Sequence, residues 1–257
     1  MAKRKRRLEA WAPWILLTII VLLWELICRG FRVSDFIFPT PSAILLSLKQ
    51  YAGPISGHAL QTFWTTMAGF VIGVVVGVLL GVLVGSSRLM YTSLYPLMVG
   101  FNSIPKAALV PVVVVWFGIG TVPAILTAFV ICFFPITVNV ATGLATIEPE
   151  LEDVLRALGA SRTDVLLKIG LPRSLPYFFA SLKVAITLAF IGSVVSETIA
   201  SNEGIGYLMM SAGSQMRMPL VFAGLIVISV MAILMYEVFA VFERRMTGWA
   251  TRGMDAK

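Results

Sequence analysis

The chain alternates long apolar runs with short breaks rich in charge, proline and glycine. Six runs are about the length of a membrane span: Trp11–Cys28, Thr62–Gly85, Leu94–Trp116, Val122–Ala145, Leu182–Ala200 and Leu220–Phe242. A backbone facing lipid must satisfy its own polar groups, so these runs predict helices. Strand-like alternation is missing, which argues against a barrel. The pattern predicts an all-α integral membrane protein built as a six-helix bundle. It divides into a tail, first helix and outer connector over 1–60, a core over 61–245 and a closing tail over 246–257.

Composition agrees: of 257 residues, 58% are hydrophobic and 13% charged, too apolar for an ordinary soluble domain. The net charge of +7 follows from topology. Lys3, Arg4, Lys5, Arg6, Arg7, Arg88, Arg156, Arg162, Lys168, Arg173, Arg244, Arg245, Arg252 and Lys257 fall on one side; Arg29, Arg32, Lys49 and Arg217 fall on the other. The positive-inside bias therefore puts both termini in the cytoplasm. Basic residues spread over membrane flanks do not make a nucleic-acid footprint. The first apolar run is too long for a signal peptide and lacks a small-x-small cleavage site, so it reads as an uncleaved span. Cys28 and Cys132 lie in spans with neither metal nor disulfide spacing. The lone histidine, His58, sits near an outer interface without catalytic companions.

Within the outer connector, Phe31 to Gln61, the stretch Phe38-Pro39-Thr40-Pro41-Ser42 breaks any helix, and Ala43–Tyr51 reads as a short interfacial helix. The second span carries Gly69, Gly73, Gly77, Gly81 and Gly85, a four-residue repeat that lets another helix approach closely. That neighbour belongs either to the same subunit or to a second copy. The third span is interrupted by Asn102, Pro105, Lys106 and Pro111, and broken helices at membrane depth are tolerated where they line a cavity or are covered by protein. Pro135 and Asn139 make the fourth span a weaker candidate. Ionisable residues in or near spans are Glu25, Lys106, Glu197 and Glu237. Asn102, Lys106 and Glu197 are the candidates for a pathway, with a structural partner as the competing role for each ionisable group.

Between the fourth and fifth spans, Thr146–Ser174 holds nine of the 33 charged side chains. Pro149 suits a first helical turn, and Glu150, Glu152 and Asp153 favour its positive pole. Leu151, Val154, Leu155 and Leu158 form one apolar stripe, and Gly159 stands where a left-handed C-terminal residue belongs. Ser161 and Asp164 open a second short helix as a capping box, which Leu171-Pro172 is expected to end. Two amphipathic helices outside the membrane need something to cover their apolar faces.

Gly159, Ile169, Leu171 and Pro172 stand at the spacing of the cytoplasmic loop of ABC importer permeases, which this segment resembles. It departs at the first triplet, where Asp153-Val154-Leu155 replaces Glu-Ala-Ala. Further stretches resemble the branch that handles nitrate, sulfonates, taurine and related solutes: Phe38–Ser42, Ile104–Pro111, Trp116-Phe117-Gly118-Ile119-Gly120 and Glu203-Gly204-Ile205-Gly206-Tyr207-Leu208. The resemblance implies a type I importer permease of the bacterial inner membrane, forming the pathway for a small solute. It implies a coupling helix that sits on a cytoplasmic ABC ATPase dimer, with Glu152, Asp153, Val154, Leu155, Ala157, Leu158, Gly159, Ala160, Ile169, Leu171 and Pro172 at the contact. An extracytoplasmic solute-binding protein and a second permease copy complete the implied assembly. The chain has no Gly-x-x-x-x-Gly-Lys-Ser/Thr loop, so no cofactor is expected on it and ATP is expected to act on the partner. A secondary carrier driven by an ion gradient is the alternative, though it leaves the two-helix loop unexplained.

Overall fold

The computed structural model describes residues 2–145 and 149–251, with the side chains of residues 2–10, 149, 151, 152, 162 and 248–251 outside that description. The expected loop opening Thr146–Glu148, the tail from Arg252, and the side chains of Lys3–Arg7 and Glu152 therefore lie outside the described residues. Among the described residues every regular element is helical. Five helices are long and apolar enough to cross a membrane, and a bent pair supplies a sixth span.

The first span, α1 (Ala2–Gly30), runs along the edge of the bundle with most of its side chains exposed. Glu25 ties it down near its outer end by accepting from Ser42 Oγ at 2.7 Å, Ser42 N at 3.0 Å and Arg29 Nε at 2.6 Å. Ser42 lies in α2 (Pro41–Gln50), where Thr40 Oγ1 caps Ala43 N and Pro41 fills the first turn. The next helix, α3 (Ala52–Gly85), starts ten residues before the expected Thr62, so the connector is shorter than its polarity suggested. A span is marked in sequence by its apolar part, whereas the helix continues into the interface.

The four-residue glycine repeat faces α6 (Thr121–Ala145) of the same subunit, which resolves the two readings of that repeat. A Cβ on Gly69 would lie 2.6 Å from Ala128 Cβ, on Gly77 2.9 Å from Ile136 Cβ, on Gly81 2.6 Å from Val140 Cβ, and on Gly85 2.9 Å from Leu144 Cβ. On Gly73 it would overlap the Cys132 sulfur. The partners Ala128, Cys132, Ile136, Val140 and Leu144 also repeat every four residues, so one ridge seats in the groove of the other. Helix α9 (Leu171–Ala200) packs against both, and a Cβ on its Gly192 would stand 2.8 Å from Ala128 Cα. The main core lies among these three helices, with Phe70, Ile136, Leu182, Ile186 and Phe190 buried in it. A second cluster joins α2 and α3 to α10 (Ile205–Ser214) and α11 (Met218–Thr251) through Ile44, Ile55, Ile205 and Leu220.

The expected break of the third span is present. Helix α4 (Arg88–Asn102) and the segment Lys106–Phe117, a 3-10 turn followed by α5 (Val110–Phe117), meet at 75°. One expectation fails on the cytoplasmic side. Leu171-Pro172 does not end the second loop helix: α8 (Arg162–Val165) passes through a π-helical turn, Leu166–Gly170, straight into α9. Pro172 stands in the first turn after that wide turn, where its missing N–H is tolerated. The fifth span is therefore the end of a 38-residue helix, Thr163–Ala200.

Candidate functional site

The loop between α6 and α9 is built from short-range interactions. Helix α7 (Pro149–Ala157) ends on Gly159 at φ +87°. Gly159 N donates to Arg156 O at 3.0 Å and Ala160 N to Leu155 O at 3.0 Å, the paired bonds of a Schellman cap. Two residues on, Ser161 N and Oγ donate to Asp164 Oδ2 at 3.1 and 2.6 Å, while Asp164 N returns a bond to Ser161 Oγ at 3.2 Å. This is the expected capping box with the shorter acid. Lys168 adds an ion pair to Asp164 at 2.8 Å.

With the elbow from Leu155 to Asp164 satisfied from within, the loop leaves its apolar side uncovered. Leu158 is 78% exposed and Val154 57%, with Asp153, Ala157 and Gly159 exposed beside them. Leu155, Ala160, Ile169 and Pro172 are half-buried and Leu171 is exposed; Val165, at 6%, anchors the second helix. An apolar ridge on a self-capped helix is the form of a segment that lays itself into a partner's groove.

The pathway candidates separate. Asn102 and Lys106 come together across the break: Lys106 Nζ donates to Asn102 O at 2.9 Å and Asn102 Oδ1 at 2.6 Å. The ammonium stands at the C-terminal, negative pole of α4 and serves the Asn102 backbone carbonyl, which the bend leaves without a helical partner, together with the Asn102 side chain. Around it Ser103, Ile104, Pro105, Ala107 and Ala108 are exposed. Broken backbone at membrane depth, uncovered by its own subunit, requires water or a second protein surface.

Glu197 is elsewhere. It is 2% exposed and accepts from Thr62 Oγ1 at 2.8 Å, Gly206 N at 3.1 Å, and Thr65 Oγ1 and Ser193 Oγ at 3.3 Å each. All four of these contacts are made within the subunit, and the carboxylate is closed off from solvent. Asn139 likewise turns back on its own helix, donating to Pro135 O at 2.8 Å.

Sequence reasoning missed Lys183, which pairs with Glu243 at 2.5 Å and stands 5.8 Å from the Tyr236 ring centroid, joining α9 to α11. It also passed over Thr62, Thr65 and Ser193. Their signal was present as Thr62 and Thr65, three residues apart in α3, and Ser193, four residues before Glu197 in α9.

A helical bundle of this kind, with one broken span and an exposed apolar ridge on the loop of its basic side, is a multi-pass membrane protein of the permease kind. The chain belongs to the family described as "Binding-protein-dependent transport system inner membrane component", whose profile matches residues 73–248. Among curated relatives, a "Probable ABC transporter permease protein" of Haemophilus influenzae is 30% identical, covering 87% of this chain and 91% of that protein. A "Putative aliphatic sulfonates transport permease protein SsuC" of Escherichia coli is 32% identical over 93% of this chain and 91% of its own length. A solved structure of the MetNI methionine ABC transporter in an inward-facing conformation shares the fold, with TM-score 0.60 and 23% identity over 75% of this chain and 94% of that one. The protein is thus an inner-membrane permease component of an ABC importer rather than an ion-gradient carrier.

Proposed function

We propose that this chain forms one half of a translocation pathway, working as a pair of identical copies. The loop over about 146–176 seats on a cytoplasmic ATPase dimer that binds and hydrolyses ATP, and an extracytoplasmic binding protein delivers the solute. The observation that carries the coupling assignment is the exposed Val154–Leu158 ridge on a helix whose C-terminal end is already satisfied from within the loop. The uncovered bend at Ser103–Lys106 supports a place for this break on the pathway wall, against the second copy. For the solute, the named substrate of the Escherichia coli relative supports a small sulfonate, and the Lys106 ammonium at the break suits an anion.

The test is co-purification of the permease with its ATPase, followed by ATP-driven uptake in proteoliposomes supplied with the binding protein. Leu158→Glu places a charge on the ridge without touching the core. Membrane insertion and melting stay at the wild-type level, while ATPase association weakens by about thirtyfold or more, the loss of a central interface anchor worth about 2 kcal/mol. Wild-type association by the Leu158→Glu variant would refute the docking assignment. Uptake of a sulfonate panel against neutral solutes of the same size tests the substrate class.

A further inference from the structure

The outer end of α9 is fastened by a cluster that the coupling and pathway assignments leave unused. Helix α10 begins at Gly204, φ +97°, with no side-chain cap of its own. Its first amides are instead served by other helices: Gly204 N donates to His58 Nδ1 at 3.1 Å, Ile205 N to Thr62 Oγ1 at 2.8 Å, and Gly206 N to Glu197 Oε2 at 3.1 Å. Thr62 is two-sided, since the same hydroxyl donates to Glu197 Oε2. Left bare in an apolar setting, such amides are costly, and a carboxylate is favoured at the positive pole of a helix.

Packing closes the same joint. The Glu197 carboxylate occupies the space a side chain on Gly204 would need, and a Cβ on Gly206 would stand 2.5 Å from Val194 O and 2.7 Å from Glu197 Cβ. No layer of side chains separates α10 from α9 there, so neither can slide on the other without breaking the bonds. The connector from α5 to α6 joins through Gly120 N, which donates to Ala200 O at 3.0 Å. At its other end the same helix reaches the docking loop. Thr163–Ala200 is 38 residues long, about 57 Å at helical rise. The irregular places along it are the π-helical turn at Leu166–Gly170 and the interior proline Pro176, both toward the loop end.

We propose that Glu197 and Thr62 are positioning residues that weld α10 to α9 and α3, so that displacement of the docking loop arrives at the outer mouth through α9 as a rigid rod. Bending is confined to the inner end, between the π-helical turn and Pro176. This rests on the ATPase-driven reading given above.

Spin labels at Ile199 and Met210, both more than half exposed, report the α9–α10 distance in the reconstituted assembly of permease, ATPase and binding protein. Between the nucleotide-free and the vanadate-trapped states the distance stays within label precision, and a change above about 5 Å, the scale of one element ratcheting past another, overturns the weld. In parallel, solute moved per ATP hydrolysed is measured for Glu197→Ala and Glu197→Gln. The alanine variant keeps hydrolysing ATP while transport per ATP falls about tenfold, and the glutamine variant, still able to accept from Gly206 N, keeps most of the wild-type ratio. Equal loss of hydrolysis and transport in Glu197→Ala would reduce the cluster to a fold-stabilising role and overturn the proposal. Should Glu197→Ala not fold, Thr62→Val removes the two-sided hydroxyl at constant shape and is read the same way. Wild-type uptake is the control: its absence defeats the ATP-driven reading itself, whereas uptake with mobile labels defeats only the weld.

Discussion

Gly159 and Gly204 flank the long α8–α9 helix at its two ends, both with positive φ, and the protein treats them in opposite ways. Around Gly159 the cap bonds close within a few residues of sequence, and nothing lies within 4 Å of the place a Cβ would take. Around Gly204 that place is filled by a carboxylate from α9, and the neighbouring amides bond to residues 58 and 62 on α3. A loop that must be ready for a partner finishes itself and leaves its apolar side free. A loop that must move with the bundle is left unfinished until the bundle completes it. The same residue type thus marks an independent unit at one end and a joint at the other.

The largest effect that tests this contrast is at the joint. Gly204→Ala forces a methyl group into the Glu197 carboxylate at a backbone angle that alanine disfavours. Overpacking and strain together cost about 3 kcal/mol or more. In detergent the purified variant melts well below wild type. A melting point equal to wild type would mean that the Glu197 cluster is loosely held, and the contrast between the two ends would collapse.

Gly159→Ala is the matched control. Open space surrounds the position, so the cost is the left-handed backbone alone, about 1–2 kcal/mol, and it falls on the loop. Global melting is unchanged while association with the ATPase weakens by roughly fivefold to thirtyfold, provided the Schellman geometry is what presents Leu158. A fall in melting as deep as that of Gly204→Ala would show that the loop is part of the bundle's core.

The two ends also explain what could be read from the sequence. The local structure of the loop was legible because its determinants are neighbours: Gly159 after an apolar stripe, and Ser161 three residues before Asp164. The glycine repeat was legible as a packing face, but α3 alone does not say which helix it meets. That answer lay in α6, whose residues 128, 132, 136, 140 and 144 carry the matching period without unusual composition. Glu197 was recognised as an expensive group, yet Thr62 is 135 positions away in sequence, so no local pattern could separate a clamp from a pathway ligand. Asn102 and Lys106, four residues apart across a proline break, kept both their break and their pairing within reach of sequence reasoning. The end of the second loop helix was misplaced because Pro172 reads as a terminator, while the π-helical turn before it lets the helix continue.

The smallest effect is at the start of α8, and it tests how far the loop stands alone. Ser161→Ala removes the hydroxyl that accepts from Asp164 N at 3.2 Å and donates to Asp164 Oδ2. Losing an N-cap of this kind costs about 0.5–1 kcal/mol. If the loop is a local unit, that cost appears there and nowhere else. Amide exchange over Asp164–Leu166 quickens by roughly twofold to fivefold while exchange in α9 beyond Ser174 is unchanged, because local opening leaves the packed helix intact. Ser161→Thr restores the wild-type rate, since the threonine hydroxyl can take the same bonds. Faster exchange spreading through Leu182–Phe190 would instead mean that the cap and the buried core open together. The docking end would then be as tightly integrated as the outer joint, and the difference between the two glycines would be one of surroundings rather than of mechanical role.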